Sequence, residues 1–298
     1  TNEVEASIGS TKGEWLTHPA FTNFDVNGIW VGKFETGYKG ATTKEEAQVN
    51  EENPNKIIIK PNTYSWRNST VSNIFKTAYN YNRELDSHMM KNTEWGAVAY
   101  LSHSKYGINT EVRINNNSNY LTGYAATDGT DQSSSLGTYG TTSDITRPYN
   151  TETGYKASTT GNITGIYDMS GGAWEYVAGY MPGSNDQSGF TLTELTTYST
   201  YLDFYPANAT VTSYNGRLLG DATGEMGPFY FYADKDNNKR YHNNWYGDRS
   251  HFVDSTYPWF HRGGSYMSGV LDGQFFFNGY TGGVYTNEGS RFVLTPKI

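Results

Sequence analysis

Asn162-Ile163-Thr164-Gly165-Ile166-Tyr167-Asp168-Met169-Ser170-Gly171-Gly172-Ala173-Trp174-Glu175-Tyr176-Val177 is the densest motif in the chain. Gly171 and Gly172 permit a tight turn, because glycine reaches backbone conformations that a Cβ forbids. Trp174, Tyr176 and Val177 supply a packed aromatic centre. Asp168 and Glu175 are acids among apolar neighbours, and a buried carboxylate needs a charged or hydrogen-bonding partner. Arg262 and Arg291 are the natural candidates. The segment therefore reads as scaffold rather than active site.

Outward from this motif, Gly28 to Glu35 alternates well enough to predict a strand. Residues 37–55 read as an exposed, charged loop, and Ile57-Ile58-Ile59 as a short β run closed by Pro61. Val71, Ile74, Phe75, Ala78 and Tyr79 fall at helical spacing and predict a helix over 69–83. A second helix is expected from Thr93, placed as its N-cap, to about Lys105, with Trp95, Val98, Ala99 and Leu101 on its apolar face. Residues 107–160 read as a long loop-like insertion. A further helix is expected near 191–202, with short β pieces at 259–266, 274–278 and 290–295. No internal repeat or linker is apparent. The expected organisation is a polar segment over 1–14 and a single α+β domain over 15–298.

Composition sets the function classes. The chain has 298 residues, 16% aromatic and 17% charged, with 26 Tyr and 33 Gly, which describes a folded, turn-rich protein and not a disordered one. Tyr gives large contact area with a polar tip and suits recognition surfaces. A formal charge of -8, with no basic run, argues against nucleic acid as a partner. The absence of cysteine removes disulfides, thiolate metal sites and Cys nucleophiles. No stretch approaches the roughly 20 apolar residues of a membrane span. The start at Thr1 is read as a processed chain, so that membrane attachment would come only through an anchor outside this sequence.

Four segments in order resemble the formylglycine-generating-enzyme (sulfatase-modifying factor) branch of the C-type-lectin fold. Ile29-Trp30-Val31-Gly32-Lys33-Phe34-Glu35-Thr36 is similar to the family's early strand. Asn92-Thr93-Glu94-Trp95-Gly96-Ala97-Val98-Ala99-Tyr100 is similar to its Pro-Thr-Glu-Ala-Glu-Trp-Glu-Tyr-Ala helix. The 162–177 stretch looks like Asn-x-x-Gly-Leu-Tyr-Asp-Met-x-Gly-Asn-Val-Trp-Glu-Trp. Arg262-Gly263-Gly264-Ser265-Tyr266 resembles Arg-Gly-Gly-Ser-Trp, followed by Ser290-Arg291-Phe292 where the family has Gly-Phe-Arg. The resemblance implies a C-type-lectin-like fold of short twisted antiparallel strands, two helices and long irregular insertions. Trp95, Asp168, Trp174, Glu175, Arg262, Gly263, Gly264 and Arg291 form its scaffold motif.

The departures redirect the function. The family's cysteine-based oxidation has no residue to run on, and the six histidines show no paired metal-ligand spacing. Trp174-Glu175-Tyr176-Val177 and the layout from Asp272-Gly273-Gln274-Phe275-Phe276-Phe277-Asn278 to Ser290-Arg291-Phe292-Val293-Leu294 resemble the variable proteins of diversity-generating retroelements. That resemblance implies a non-catalytic, receptor-type protein with a variable C-terminal region over 262–291, diversified at codons containing adenine. Gly273, Phe275 and Phe277 are expected to alternate inward as framework. Tyr266, Ser268, Val270, Leu271, Asp272, Phe276, Asn278, Tyr280, Val284 and Tyr285 are expected to form the ligand-binding face. Met267 and Gln274 cannot arise from an Asn codon changed only at adenines, so they read as framework or as products of other codons.

The expected partner is a protein or glycan on a cell or phage surface, and the expected location is extracellular, at a cell surface or on a virion. No cofactor is required. Structural calcium is compatible with the oxygen-rich segments 107–160 and 233–254, although Asp234-Lys235-Asp236-Asn237-Asn238 lacks EF-hand spacing and reads as a solvated turn. The alternative functions are an invariant carbohydrate-binding lectin module and, behind it, a cysteine-free enzyme of the same fold.

Overall fold

The computed structural model describes residues 28–127, 146–207, 230–232, 241–243 and 245–295. Only two residues of the expected first strand pair, forming β1 (Trp30–Val31). Beyond them Phe34, Glu35 and Thr36 turn into the interior. β2 (Gly37–Tyr38) pairs antiparallel with β3 (Ile57–Ile58). Helix α1 (Val71–Tyr81) begins at Thr70, whose hydroxyl accepts from Asn73 N at 3.3 Å. Its buried stripe of Val71, Ile74, Phe75 and Ala78 follows helical spacing.

After β4 (His88–Met89), helix α2 (Asn92–Ser102) is capped by Lys91 and not by Thr93. Glu94 accepts from Lys91 N at 2.8 Å, and Thr93 gives its N–H and its hydroxyl to Asp203 at 2.8 and 3.0 Å. A tertiary carboxylate thus takes the side chain that sequence placed at the cap. β5 (Tyr124–Ala126) and β6 (Thr146–Pro148) form a hairpin within the insertion, so its described parts are not structureless.

The motif segment enters β7 (Trp174–Tyr180). Sequence periodicity missed this strand because it is covered on both faces, and a strand buried on both sides does not alternate. α3 (Leu192–Thr197) carries a Thr191–Glu194 capping box and stops short of the expected 202. The remaining strands are β8 (Asp203–Phe204), β9 (Tyr230–Tyr232), β10 (Tyr241–Asn243), β11 (Arg249–Ser250), β12 (Trp259–Gly263), β13 (Gly273–Tyr280), β14 (Glu288–Ser290) and β15 (Phe292–Leu294).

The class is α+β. An eight-stranded sheet runs β14-β7-β12-β13-β11-β10-β9, with β8 on β7, and a small sheet β1-β15-β4 lies apart from it. β12 is antiparallel to both β7 and β13, whereas β14 and β8 run parallel to β7. One face of the centre, formed by Val177, Phe260, Phe275 and Phe277, packs against Trp95, Val98 and Ala99 of α2. The opposite face, formed by Tyr176, Ala178, Tyr180 and Trp259, packs against Ile74, Phe75 and Ala78 of α1. Phe275 and Phe277 are the framework residues expected, and burying each stabilises the fold by about 1.5–3 kcal/mol. Gln274 is also framework. Its backbone carbonyl accepts from Trp95 Nε1 at 2.9 Å, and its side-chain oxygen accepts from Val112 N at 3.2 Å. Among the described residues, no helix is long and apolar enough to cross a membrane.

Candidate functional site

The scaffold acids find their partner in Arg291. Its Nε and Nη2 donate to the two oxygens of Glu175 at 3.0 and 2.6 Å, while Nη1 and Nη2 also reach Gly32 O and Tyr167 O. Asp168 accepts from Gly123 N, Asn115 Nδ2 and Glu35 N. Arg262 does not join this network as expected. It donates to Asn92 at 2.7 Å, and its guanidinium lies 5.6 Å from the Trp95 ring centre. Because Arg262 and Glu175 are paired across β12 and β7, both face α2 on the interior side. Arg262 is therefore scaffold, by a contact different from the one expected.

The ten residues expected on the binding face separate into two groups. Tyr266, Ser268, Val270, Leu271 and Asp272 lie on the loop between β12 and β13. Phe276, Asn278, Tyr280, Val284 and Tyr285 lie on β13 and the turn after it. In the loop group, Ser268 and Asp272 are buried, which corrects the expectation that they point outward. The loop folds back on itself, and Asp272 Oδ1 accepts from Ser265 N at 3.0 Å beside Ser268. Tyr266 is half-buried, edge-on to Tyr120 at 4.8 Å, and Tyr120 in turn lies under the Arg67 guanidinium. Leu271 is half-buried, and the side chain of Val270 lies outside the described set.

Burial raises Asp248 and Asp272 well above the ordinary carboxylate range, and nearby Glu111 adds to both shifts. Gly264 makes the tight turn here with φ +78°, and a Cβ on it would lie 1.6 Å from Asp272 Oδ1. Gly264→Ala is accordingly expected to cost about 2 kcal/mol or more, from backbone strain and from displacing the carboxylate. Urea unfolding of the variant beside wild type checks this, and an unchanged midpoint would refute the close approach. Among the described residues, no group of three His, Cys, Asp or Glu is placed to hold a metal ion. The expectation about Asp234 to Asn238 lies outside the described residues.

In the second group, strand alternation places Phe276, Asn278 and Tyr280 opposite Phe275 and Phe277, as expected. That face is closed at two of the three positions. Phe276 is buried against His261, with ring centres 5.8 Å apart, and Asn278 Oδ1 meets His251 Nδ1 at 2.8 Å. Tyr280 and Tyr285 are half-buried with ring centres 4.4 Å apart, and Val284 is exposed.

Register brings further residues to this face that sequence reasoning left aside. Glu288 pairs beside Trp174 across β14 and β7, and His261 beside Asn278 across β12 and β13. His261 Nδ1 meets Glu288 Oε1 at 2.9 Å, both residues being fully buried. The imidazole stacks on Tyr280 at 5.4 Å and lies 5.2 Å from the Trp174 ring. Burial raises Glu288 and His261 lowers it. Burial, with Tyr285 and Glu288 nearby, pushes the Tyr280 hydroxyl up to about 12, so it remains neutral and able to donate. His261 Nε2, Glu288 Oε2 and Trp174 Nε1 are buried without a hydrogen-bond partner among the described residues. One sequence signal existed for His261, because its neighbour Arg262 faces the core and alternation sends His261 the other way. Nothing local in the sequence couples it to Glu288.

A separate cavity of about 350 Å³ opens between Ile108, residues 110–114, Lys156, Ser170 and Gly269. Its charged residues Glu111, Arg113 and Lys156 already engage partners. The aromatic face is the stronger candidate, because half-buried Tyr280 and Tyr285 and exposed Val284 stand together there. Compared with known proteins, the chain matches no family model and no curated sequence.

Proposed function

We propose that this chain is a non-catalytic, displayed recognition protein of C-type-lectin-like fold, with a C-terminal face diversified in the manner of retroelement variable proteins. The observation that carries the reading is the face of β13 and the turn after it. There, half-buried Tyr280 and Tyr285 and exposed Val284 stand on a sheet whose reverse side is fixed by Phe275, Phe277 and α2. Rigid aromatic side chains on such a support suit binding, and exchanging them leaves the core intact. The ligand is a surface protein or glycan, and the setting is extracellular.

Burial refines which positions can vary. Tyr266, Leu271, Tyr280, Val284 and Tyr285 tolerate replacement, whereas Ser268, Asp272 and Phe276 are held by their contacts. Deep sequencing of the gene across many clones of its source population tests this. The expected outcome is substitution confined to 266–289, at adenine-containing codons, and concentrated at the accessible positions. A uniform segment would remove the diversification and leave an invariant lectin module as the better reading.

A further inference from the structure

Arg67 lies far from the 266–289 segment in sequence, yet its side chain touches both halves of the candidate face. It sits in a stretch that bridges to Gln48, and it is buried. The guanidinium donates in three directions: Nε to Ser65 O at 3.3 Å, Nη2 to Lys44 O at 2.7 Å, and Nη1 to Thr286 O. Its Cζ also lies 3.8 Å from the centre of the Tyr120 ring, and Tyr120 meets Tyr266 edge-on at 4.8 Å. Thr286 directly follows Tyr285. One side chain therefore reaches the loop between β12 and β13 through Tyr120, and the turn after β13 through Thr286.

This clamp needs arginine. A guanidinium is a planar fork of five donors that also stacks on an aromatic face, whereas an ammonium is a point charge. Stability alone gives no account of it. Among the described residues the guanidinium donates to carbonyls and to no carboxylate, and a buried charge without an ionic partner is costly. Tyr120 carries a second cost. Its φ of +56° is left-handed, which is rare for a bulky residue. Such outliers persist where the surroundings over-determine them, and they gather at functional sites. Here Tyr120 N donates to Asn117 O at 2.9 Å, Ser65 N donates to Tyr120 O at 3.0 Å, and the ring contacts Arg67 and Tyr266.

We propose that Arg67 is the positioning residue of the recognition face, holding Tyr266 and the turn of Tyr285 in one frame from outside the 266–289 segment. This rests on the recognition reading of that face. Three carbonyls fix the guanidinium independently of residue 266, so exchanging Tyr266 leaves the turn in place. Arg67 and Tyr120 are the constant centre against which each half can change without disturbing the other.

Tyrosine nitration by tetranitromethane, quantified residue by residue by peptide mass spectrometry, tests this on the whole chain without a ligand. Exposed Tyr106 is the reference, and fully buried Tyr176 reports unfolding. Arg67→Met is expected to raise nitration of Tyr266 and of Tyr285 by about fivefold each, the scale of one lost cation–π contact or hydrogen bond. Tyr106 and Tyr176 should not change. Tyr266→Ser is expected to leave Tyr285 at its wild-type rate. Should Arg67→Met expose Tyr176, Arg67→Lys carries the test, because it keeps the charge and the stem but cannot serve Tyr120 and Thr286 together. Both tyrosines should then rise by about twofold. Either tyrosine unmoved in a folded Arg67 variant, or Tyr285 moved by Tyr266→Ser, overturns the assignment. A gene uniform across clones would remove the diversification and leave these rates as they are.

Discussion

Arg291→Met is expected to lower the unfolding free energy by about 3–5 kcal/mol, the range for removing one partner of a buried ion pair. Met keeps much of the volume and loses every donor. Among the described residues, Glu175 then has no partner for either oxygen, and the carbonyls of Gly32 and Tyr167 lose the donors Arg291 gave them. The consequence extends beyond one pair, because Arg291 also acts on Asp168 and Glu35 and pulls both downward against burial. Three buried carboxylates share this one guanidinium. The loss should shrink on acidification, as the stranded acids become neutral. Urea unfolding at pH 7 and pH 5 measures it. A loss below about 1 kcal/mol at pH 7 would mean that Arg291 is not the organising charge.

This network was the most legible part of the molecule in sequence. Glu175 and Asp168 sat among apolar residues, and two arginines were available. Sequence could not choose between them, because the choice depends on side. Arg262 on β12 and Arg291 beside β14 approach β7 from opposite edges. The inward pair Phe275 and Phe277 was equally readable, since alternation along one strand is local information. The failures share a different cause. Asp272 and Phe276 are buried by a loop that folds back and by a histidine from a neighbouring strand, neither of which leaves a local mark. His261 and Glu288 meet only through the order β14-β7-β12, in which Trp174 and Tyr176, far earlier in the chain, lie between them in the sheet. The helix α1 was predicted nearly to its ends because its stripe and its Thr70 cap are both local. Thr93 was misplaced as a cap because its partner, Asp203, lies 110 residues away.

The acid cluster also sets a pH dependence whose sign follows from its geometry. Glu35 is wholly buried between Asp168 and Glu175, accepts from Ala173 N at 2.9 Å and is hydrogen-bonded to Ser65 Oγ. Burial first, then the charges of Asp168 and Glu175, raise it well above its ordinary value near 4.5. Asp168, with its several donors, and Glu175, clamped by Arg291, are the better-supported anions, so the proton belongs on Glu35. Unfolded, Glu35 titrates near the ordinary glutamate value of about 4.3. Between that value and its raised folded value the native state binds more protons, and stability falls as pH rises. Glu35→Gln mimics the protonated acid, its amide oxygen accepting from Ala173 and its NH₂ facing Ser65. Near pH 4 the variant and wild type should unfold at similar urea concentrations. Above that, the variant should gain about 1.4 kcal/mol per pH unit over wild type until the folded group ionises. Asp168 and Glu175 are also raised, so a smaller slope of the same sign should persist in the variant. Urea midpoints from pH 4 to pH 8 decide the matter. A difference that does not change with pH, or a wild type that gains on the variant as pH rises, would place the shared proton elsewhere than on Glu35.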